Sequence, residues 1–183
     1  MAQQAAEVVV AGHVCLDVIP AIQEKKKGLD SFLVPGKLIE IGPARTSTGG
    51  TVPNTGLALH RLGLRTRLMG KIGRDLFGDE ILQALRRYGG DLTDGMIVSA
   101  EEITSYTLVI NPPNVDRIFL HCTGANDTFS SDDIRQDLLT GARLFHFGYP
   151  PLMRRMYEAD GAELERLLSL AKRQGLTVSL DMA

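Results

Sequence analysis

Strand-like segments alternate with amphipathic helical patterns along most of this 183-residue chain, and this alternation restricts its fold more than any other feature. The first strand, at 7–14, is apolar on both faces, as central strands of parallel sheets are. Helical patterns cover 51–62, 76–88 and 163–173, and glycine follows each within two residues. Further strands are predicted at 38–41, 66–72, 96–98, 105–110, 117–122, 144–147 and 176–180. The pattern predicts an α/β fold with helices on both faces of a mostly parallel sheet.

Two regions, 18–46 and 103–123, depart from the alternation. They are rich in short strand-like segments and in turns, including Asn-Pro-Pro-Asn at 111–114. We expect them to be insertions that stand off the main sheet within one domain covering 1–183. The charged run at 24–28 is expected to be a solvated loop. No helical pattern follows the strand at 176–180, so we expect the fold to be incomplete at its C-terminus.

The formal net charge of -2 gives no electrostatic reason to expect a nucleic acid or an anionic membrane as partner. The N-terminus lacks the features of a signal peptide, and no apolar run approaches the roughly 20 residues of a membrane span. We therefore expect a cytoplasmic protein. Cys15 and Cys122 lie in apolar runs, and two reduced thiols are favoured over a disulfide.

Several phosphate-binding and metal-binding motifs are excluded. Residues 11–15 lack the G-x-G-x-x-G turn of a dinucleotide site. The Gly70-Lys71 pair lacks the earlier glycine of a P-loop, and Ile72 replaces its Ser or Thr. The four histidines have no metal-ligand spacing, so no metal site is predicted; His13 and His146 are expected to be core residues.

The most informative stretch is TGGTVPNTGLALHRLG at 48–63. Paired glycines at the start of a helix, Gly49 and Gly50, let backbone amides approach a ligand closely. Asn54, in the first turn, offers both a donor and an acceptor to a hydroxyl group. By itself, this stretch is equally compatible with an ordinary loop-to-helix turn.

Together with its surroundings, the stretch resembles the first signature of the ribokinase, or PfkB, carbohydrate kinase family. The segment GKIGRDLFG at 70–78 is similar to the G-x-x-G-x-D-x-x-G continuation of that signature. Asp17, just past the first strand, matches the family's substrate aspartate, and HCTGAN at 121–126 resembles the turn after its lid strands. The resemblance extends from about residue 7 to the C-terminus.

The resemblance implies a ribokinase-like fold in which the regions 18–46 and 103–123 form a small β-lid. In many relatives this lid is also a homodimer interface. Asp17, Gly49, Gly50 and Asn54 would hold the sugar, with Tyr106 and Asn126 as weaker candidates at the edge of the lid. Residues 148–150, at the end of a strand, are expected near the floor of the pocket.

The family's catalytic aspartate belongs to a second signature of the D-T-x-G-A-G-D type, and no such sequence occurs in these 183 residues. The resemblance implies ATP and Mg²⁺ as cofactors of the complete protein, but we identify no catalytic or cofactor-binding residue in this chain. It is therefore interpreted as the sugar-binding portion of an ATP-dependent carbohydrate kinase, inactive by itself.

Two alternatives stay open. The chain could belong to a non-catalytic sugar-binding sensor that derives from the kinase fold. It could also belong to a nucleoside kinase or a phosphosugar kinase of the same family. A phosphosugar needs cationic side chains in the pocket, and Arg45, Lys71 and Arg117 are the candidates, although solvation at the surface is the favoured role for each of them.

Overall fold

The computed structural model of the chain describes residues 6–22, 34–114 and 116–183. The predicted charged loop at 24–28 lies outside these ranges. The described strands are β1 Val8–Gly12, β2 Cys15–Pro20, β3 Ala44–Gly49, β4 Thr66–Gly73, β5 Gly95–Ser99, β6 Tyr106–Ile110, β7 Ile118–Cys122, β8 Leu144–Gly148 and β9 Thr177–Asp181. The described α-helices are α1 Thr51–Arg61, α2 Leu76–Arg86, α3 Arg154–Tyr157 and α4 Ala162–Arg173. Short 3₁₀ helices cover Gly90–Thr93, Gly124–Thr128, Ser131–Asp133, Gln136–Leu139, Pro150–Leu152 and Ala159–Gly161.

The central sheet has the strand order β5-β4-β1-β8-β9, and every pairing in it is parallel. Strand β1 lies in the middle, and all five of its residues are buried. Its successive side chains enter different cores, because a strand projects them alternately to opposite faces. Val9 and Ala11 pack with α4, whereas Val8 and Val10 pack with α1 and α2. The predicted α/β architecture is confirmed.

A second sheet, with the order β3-β2-β6-β7, stands beside the first. Strands β2 and β6 pair in parallel, and the outer two pairings are antiparallel. Strands β6 and β7 lie within the predicted region 103–123, whereas β2 begins before the region 18–46 and β3 ends after it. The role of this second sheet as a lid stays a prediction.

The predicted strand at 7–14 is shorter in the structure, because the chain changes sheets at its end. Strand β1 stops at Gly12, which has a φ of 125°. A β-carbon at Gly12 would lie 2.4 Å from the carbonyl oxygen of Gly148. This close approach of β1 and β8 fixes the point at which the chain crosses to β2.

The strand predicted at 38–41 was wrong. Leu38 is fully exposed, and the strand of this region is instead β3 at Ala44–Gly49. Four of the six β3 residues are exposed, so the strand lacks the apolar alternation from which strands are predicted. Pairing with β2 holds it in place. Among the described residues, no helix is long and apolar enough to cross a membrane.

Candidate functional site

Asp17 lies on β2, in the interior of the second sheet, and is half-buried. It pairs with Ser47 on β3 and with Thr107 on β6, so the three side chains share one face of the sheet. That face borders a cavity of about 550 Å³, whose lining includes Asp17, Gly50 and Asn54. The cavity lies where β1 and β8 end, which is where parallel sheets gather ligands.

The glycine pair lies directly against Asp17 and His13. A β-carbon at Gly49 would lie 2.6 and 2.8 Å from the two carboxylate oxygens of Asp17. Gly50 has a φ of 91°, and a β-carbon there would lie 2.5 Å from His13 Nδ1. A side chain at Gly50 is therefore excluded, whereas one at Gly49 would displace the Asp17 carboxylate. Gly50 also forms the N-cap of α1.

Asn54 is exposed in the first turn of α1 and lines the same cavity. Its backbone N–H donates to the carbonyl of Gly50 at 3.1 Å. Its side chain is exposed and therefore available to a ligand. The structure thus brings Asp17, Gly49, Gly50 and Asn54 together. Their role in binding a substrate stays a prediction.

Tyr106 does not join this group. It is the neighbour of Thr107 on β6, and adjacent strand residues face opposite sides of a sheet. Its ring packs edge-on against Phe77 of α2 at 5.3 Å and lines a different cavity, of about 350 Å³. Thr107 faces the Asp17 cavity in its place.

Asn126 is a structural clamp in this chain. It is fully buried, and its amide donates to the carbonyl of Val14 at 2.9 Å and accepts from the N–H of Val14 at 3.2 Å. These bonds occupy both ends of its amide and fix the crossing from β1 to β2. The expectation that Asn126 contacts substrate therefore loses its geometric basis.

Sequence reasoning missed six cavity-lining residues, which are His13, Cys15, Thr107, Phe119, His121 and Leu152. Strand register is the signal that finds three of them. Cys15 lies two residues before Asp17, and Thr107 pairs with both Asp17 and His121. His13 was expected to be a core histidine, and it is 98% buried as well as part of the lining.

Burial and hydrogen bonding shift the pKa of the Asp17 carboxyl in opposite directions. Burial raises the pKa of its carboxyl above the ordinary value, while hydrogen bonds from Cys15 and Thr107 and the nearby His121 oppose that rise. The Cys15 thiol donates to Oδ1 at 3.5 Å, and burial raises the pKa of that thiol to about 12. Cys15 therefore stays a neutral donor, and like Cys122 it is a free cysteine.

Burial lowers the pKa of both cavity histidines, which favours their neutral forms. Burial, and then the neighbouring His121, lowers the pKa of His13 to about 3. Burial also lowers the pKa of His121, against the opposing charges of Asp17 and Asp127. The ring of Tyr149, directly after β8, lies 5.9 Å from that of His13 and lines the cavity, as expected for the strand end at 148–150.

The three candidate cations occupy different environments. Lys71 is largely buried and bonded to Glu102 at 2.9 Å and to Thr128 at 2.8 Å, so its charge is already balanced. Arg45 is exposed on β3. Arg117 lines the Asp17 cavity, with its guanidinium 5.5 Å from the ring of Phe119.

Comparison with known proteins identifies the family. The model of the pfkB family carbohydrate kinases matches residues 5–182. This chain belongs to the pfkB family. The predicted resemblance is thereby confirmed.

The pfkB-family chain is 30% identical to a nucleoside kinase of Methanothermobacter thermautotrophicus over 140 residues. This match covers 76% of this chain and 43% of that protein. It is 26% identical over 176 residues to a fructokinase of Solanum tuberosum, with coverage of 95% and 50%. The structure of Arabidopsis thaliana ribokinase complexed with ribose and ATP matches with a TM-score of 0.73 at 22% identity, covering 97% of this chain and 54% of that one. The ribokinase-like fold is confirmed, and the chain spans about half the length of the curated relatives it matches.

Proposed function

We propose that this chain forms the hydroxyl-binding site of a kinase that transfers phosphate from ATP to a sugar or nucleoside. One observation carries the proposal: the carboxylate of Asp17 lies against Gly49 and lines a single cavity together with Gly50 and Asn54. A carboxylate accepts hydrogen bonds from two neighbouring hydroxyls, and each such charge-assisted bond contributes about 1.5–3 kcal/mol. The amide of Asn54 adds a donor and an acceptor for further hydroxyls.

We propose that ATP and Mg²⁺ bind mainly to sequence outside these 183 residues. Within the described ranges, no group of three His, Cys, Asp or Glu side chains is arranged to hold a metal ion. The 183-residue sequence also lacks the D-T-x-G-A-G-D signature that resemblance assigns to catalysis. We therefore propose that the 183-residue chain binds substrate but needs further sequence, such as its longer relatives have, to transfer phosphate.

An ATP-dependent phosphorylation assay on a panel of pentoses, hexoses and nucleosides tests the proposal. The complete protein is expected to phosphorylate at least one of them, and the 183-residue chain none. Asp17→Asn should lower kcat/KM of the complete protein by about 10-fold or more, since a hydrogen bond to a charged group is lost. Asp137→Asn, which alters an exposed carboxylate paired with Arg135, is the matched control and should leave kcat/KM unchanged.

Phosphorylation of any substrate by the 183-residue chain alone would contradict the proposal that phosphate transfer needs further sequence. Binding without turnover by the complete protein would instead support the sensor interpretation. Equal activity of the Asp17→Asn and Asp137→Asn variants would remove Asp17 from the site.

A nucleoside substrate is the second candidate, because the cavity has an aromatic end. Phe119 and His121 lie on one side of β7, Arg117 directly precedes the strand, and all three line the cavity. Phe119 is 56% exposed, so a planar base stacked on it would bury apolar surface. The likeness to a nucleoside kinase supports this candidate, whereas the balanced charge of Lys71 weighs against a phosphosugar.

Phe119→Ala separates the two candidates. For a nucleoside kinase, this variant should weaken nucleoside binding by about 10-fold while leaving the binding of free ribose unchanged. Leu62→Ala, which alters an exposed apolar residue directly after α1, is the control. Equal losses for ribose and nucleosides would favour a sugar substrate.

We also propose that the second sheet acts as a lid and, on its outer side, as a homodimer interface. Leu108 and Leu120 are 36% and 54% exposed and share the side that faces away from Asp17. Sedimentation analysis of the Leu120→Lys variant tests this proposal. A dimer that becomes a monomer supports the interface, and an unchanged oligomeric state contradicts it.

A further inference from the structure

A continuous line of polar contacts runs from the core to Asp17. His13 Nε2 lies 3.3 Å from His121 Nε2. His121 Nδ1 lies 2.9 Å from the hydroxyl oxygen of Thr107. Thr107 is the register partner of Asp17 on the same face of the sheet, and its hydroxyl lowers the pKa of the Asp17 carboxyl, as a hydrogen-bond donor does. The four residues come from three strands and the crossing between β1 and β2.

The chemistry of the groups fixes the direction of these hydrogen bonds. An ionised carboxylate only accepts, so the hydroxyl of Thr107 donates to Asp17. The hydroxyl oxygen of Thr107 is then free to accept the proton on His121 Nδ1. A neutral imidazole carries one proton, so His121 Nε2 is an acceptor and His13 Nε2 is the donor.

The environment of His13 supports the same direction independently. Its Nδ1 is the buried side-chain nitrogen that has no hydrogen-bond partner within the described part of the chain, and it lies against Gly50. In the deduced arrangement this atom carries only a lone pair. The reverse arrangement would bury an N–H without an acceptor, and such groups are rare in folded proteins.

We propose that His13, His121 and Thr107 form a positioning relay, which orients the Asp17 carboxylate toward the cavity and holds it as a hydrogen-bond acceptor. These residues act through Asp17 and are positioning residues. Their effect on substrate rests on the proposed function, but their hydrogen-bond directions do not. The other polar groups that face the relay are Cys15 at Asp17, Tyr149 beside His13, Asp127 near His121, and Arg117 in the cavity.

Nitrogen NMR of the histidine rings in the full chain at pH 7 tests the relay without any ligand. The two ring nitrogens of a neutral histidine have distinct shifts, so the spectrum reports which of them carries the proton. We expect the proton of His13 on Nε2 and that of His121 on Nδ1. The opposite assignment for either ring, or a charged imidazolium at either position, would overturn the relay.

Removing the hydroxyl of Thr107 tests the effect on Asp17. Thr107→Val keeps the shape of the side chain but has no donor, so the Asp17 pKa should rise further, as measured by carboxyl ¹³C titration. Binding of the substrate or nucleoside found in the assay should weaken about 10-fold. Thr107→Ser restores the hydroxyl and should return both values towards those of the original protein.

The outcomes separate the relay from the proposed function. An Asp17 pKa that does not change in Thr107→Val, or an equal change in Thr107→Ser, contradicts the relay. If the Thr107→Val variant does not fold, the histidine tautomers measured in the unaltered protein still test the relay. If the tautomers and the pKa behave as expected but no sugar or nucleoside binds, the proposed function fails and the relay stands.

Discussion

Glycine at position 49 leaves room for the carboxylate of Asp17 that faces it. The modest size of a methyl group is enough to displace Asp17, since a β-carbon at Gly49 would overlap both carboxylate oxygens. The same turn could be a simple helix entrance in another protein. In this chain, its contact with Asp17 connects the glycine motif to the chemistry of the cavity.

Gly49→Ala should therefore weaken substrate binding by about 10-fold or more, because the carboxylate must move from its position. The measurement is titration calorimetry with the preferred sugar or nucleoside. Gly90→Ala is the matched control, since no atom lies within 4 Å of a β-carbon at Gly90. Unchanged affinity of the Gly49→Ala protein would show that the position of Asp17 is not needed for binding.

Substitutions of the two asparagines of the predicted site should have different effects, one on stability and the other on binding. Asn126→Ala leaves the buried N–H and C=O of Val14 without partners, so it should lower the free energy of unfolding by about 2–4 kcal/mol. Asn54→Ala should change stability by less than about 0.5 kcal/mol, as exposed substitutions usually do, but should weaken binding. Chemical denaturation and calorimetry check the two effects, and the reverse pattern would contradict the clamp.

At the scale of elements, the side chain of Asp75 links α2 to the segment that leads into β6. Asp75 accepts the N–H of Gly78 at 2.9 Å as the N-cap of α2, and the N–H of Thr104 at 2.7 Å. Burial favours a higher pKa for this carboxyl, but the hydrogen bonds from Thr104 and Gly78 outweigh it and lower the pKa. The aspartate of the second motif thus has a structural role that the motif alone does not reveal.

Asp75→Ala is expected to lower the free energy of unfolding by about 2–3 kcal/mol, through loss of the cap and of the link to Thr104. Thermal or chemical denaturation measures the change. Asp79→Ala, an exposed acidic residue in the first turn of the same helix, should cost about 0.5 kcal/mol or less. Equal effects of the two substitutions would mean that only the helix dipole matters.

Elements with a hydrophobic period were predictable from sequence, and polar ones were not. The helices α1, α2 and α4 and the buried strand β4 follow from apolar stripes and glycine stops, and each is within two residues of its predicted bounds. Strand β3 was missed because pairing with β2, and not burial, holds its exposed residues. Asp17 and the glycines were predicted from motifs, but Thr107 and His121 depend on a register between distant strands.

At the scale of the whole molecule, buried neutral histidines make stability depend on pH. The pKa of His13 falls from an ordinary 6.5 to about 3 on folding, so below pH 6.5 the unfolded chain binds a proton that the folded protein excludes. Burial lowers the pKa values of His121 and His146 in the same direction. Acidification therefore stabilises the unfolded chain relative to the folded protein.

The free energy of unfolding should fall as pH decreases from about 6.5 toward 3, with a limiting slope of about 1.4 kcal/mol per pH unit for each excluded proton. The raised pKa of Asp17 acts in the opposite sense and offsets part of the fall just above its ordinary value. Denaturation curves over this pH range measure the slope. His13→Asn should reduce it, and an unchanged slope would contradict the burial of a neutral His13.

Titration calorimetry on the Asp17→Asn variant of the complete protein tests the central claim most directly, with the substrate that the phosphorylation assay identifies. If Asp17 and the glycine turn form one hydroxyl-binding site, affinity should fall by about 10-fold or more while Asp137→Asn binds normally. Affinity for that substrate that is equal in the original protein and in both variants would contradict the claim.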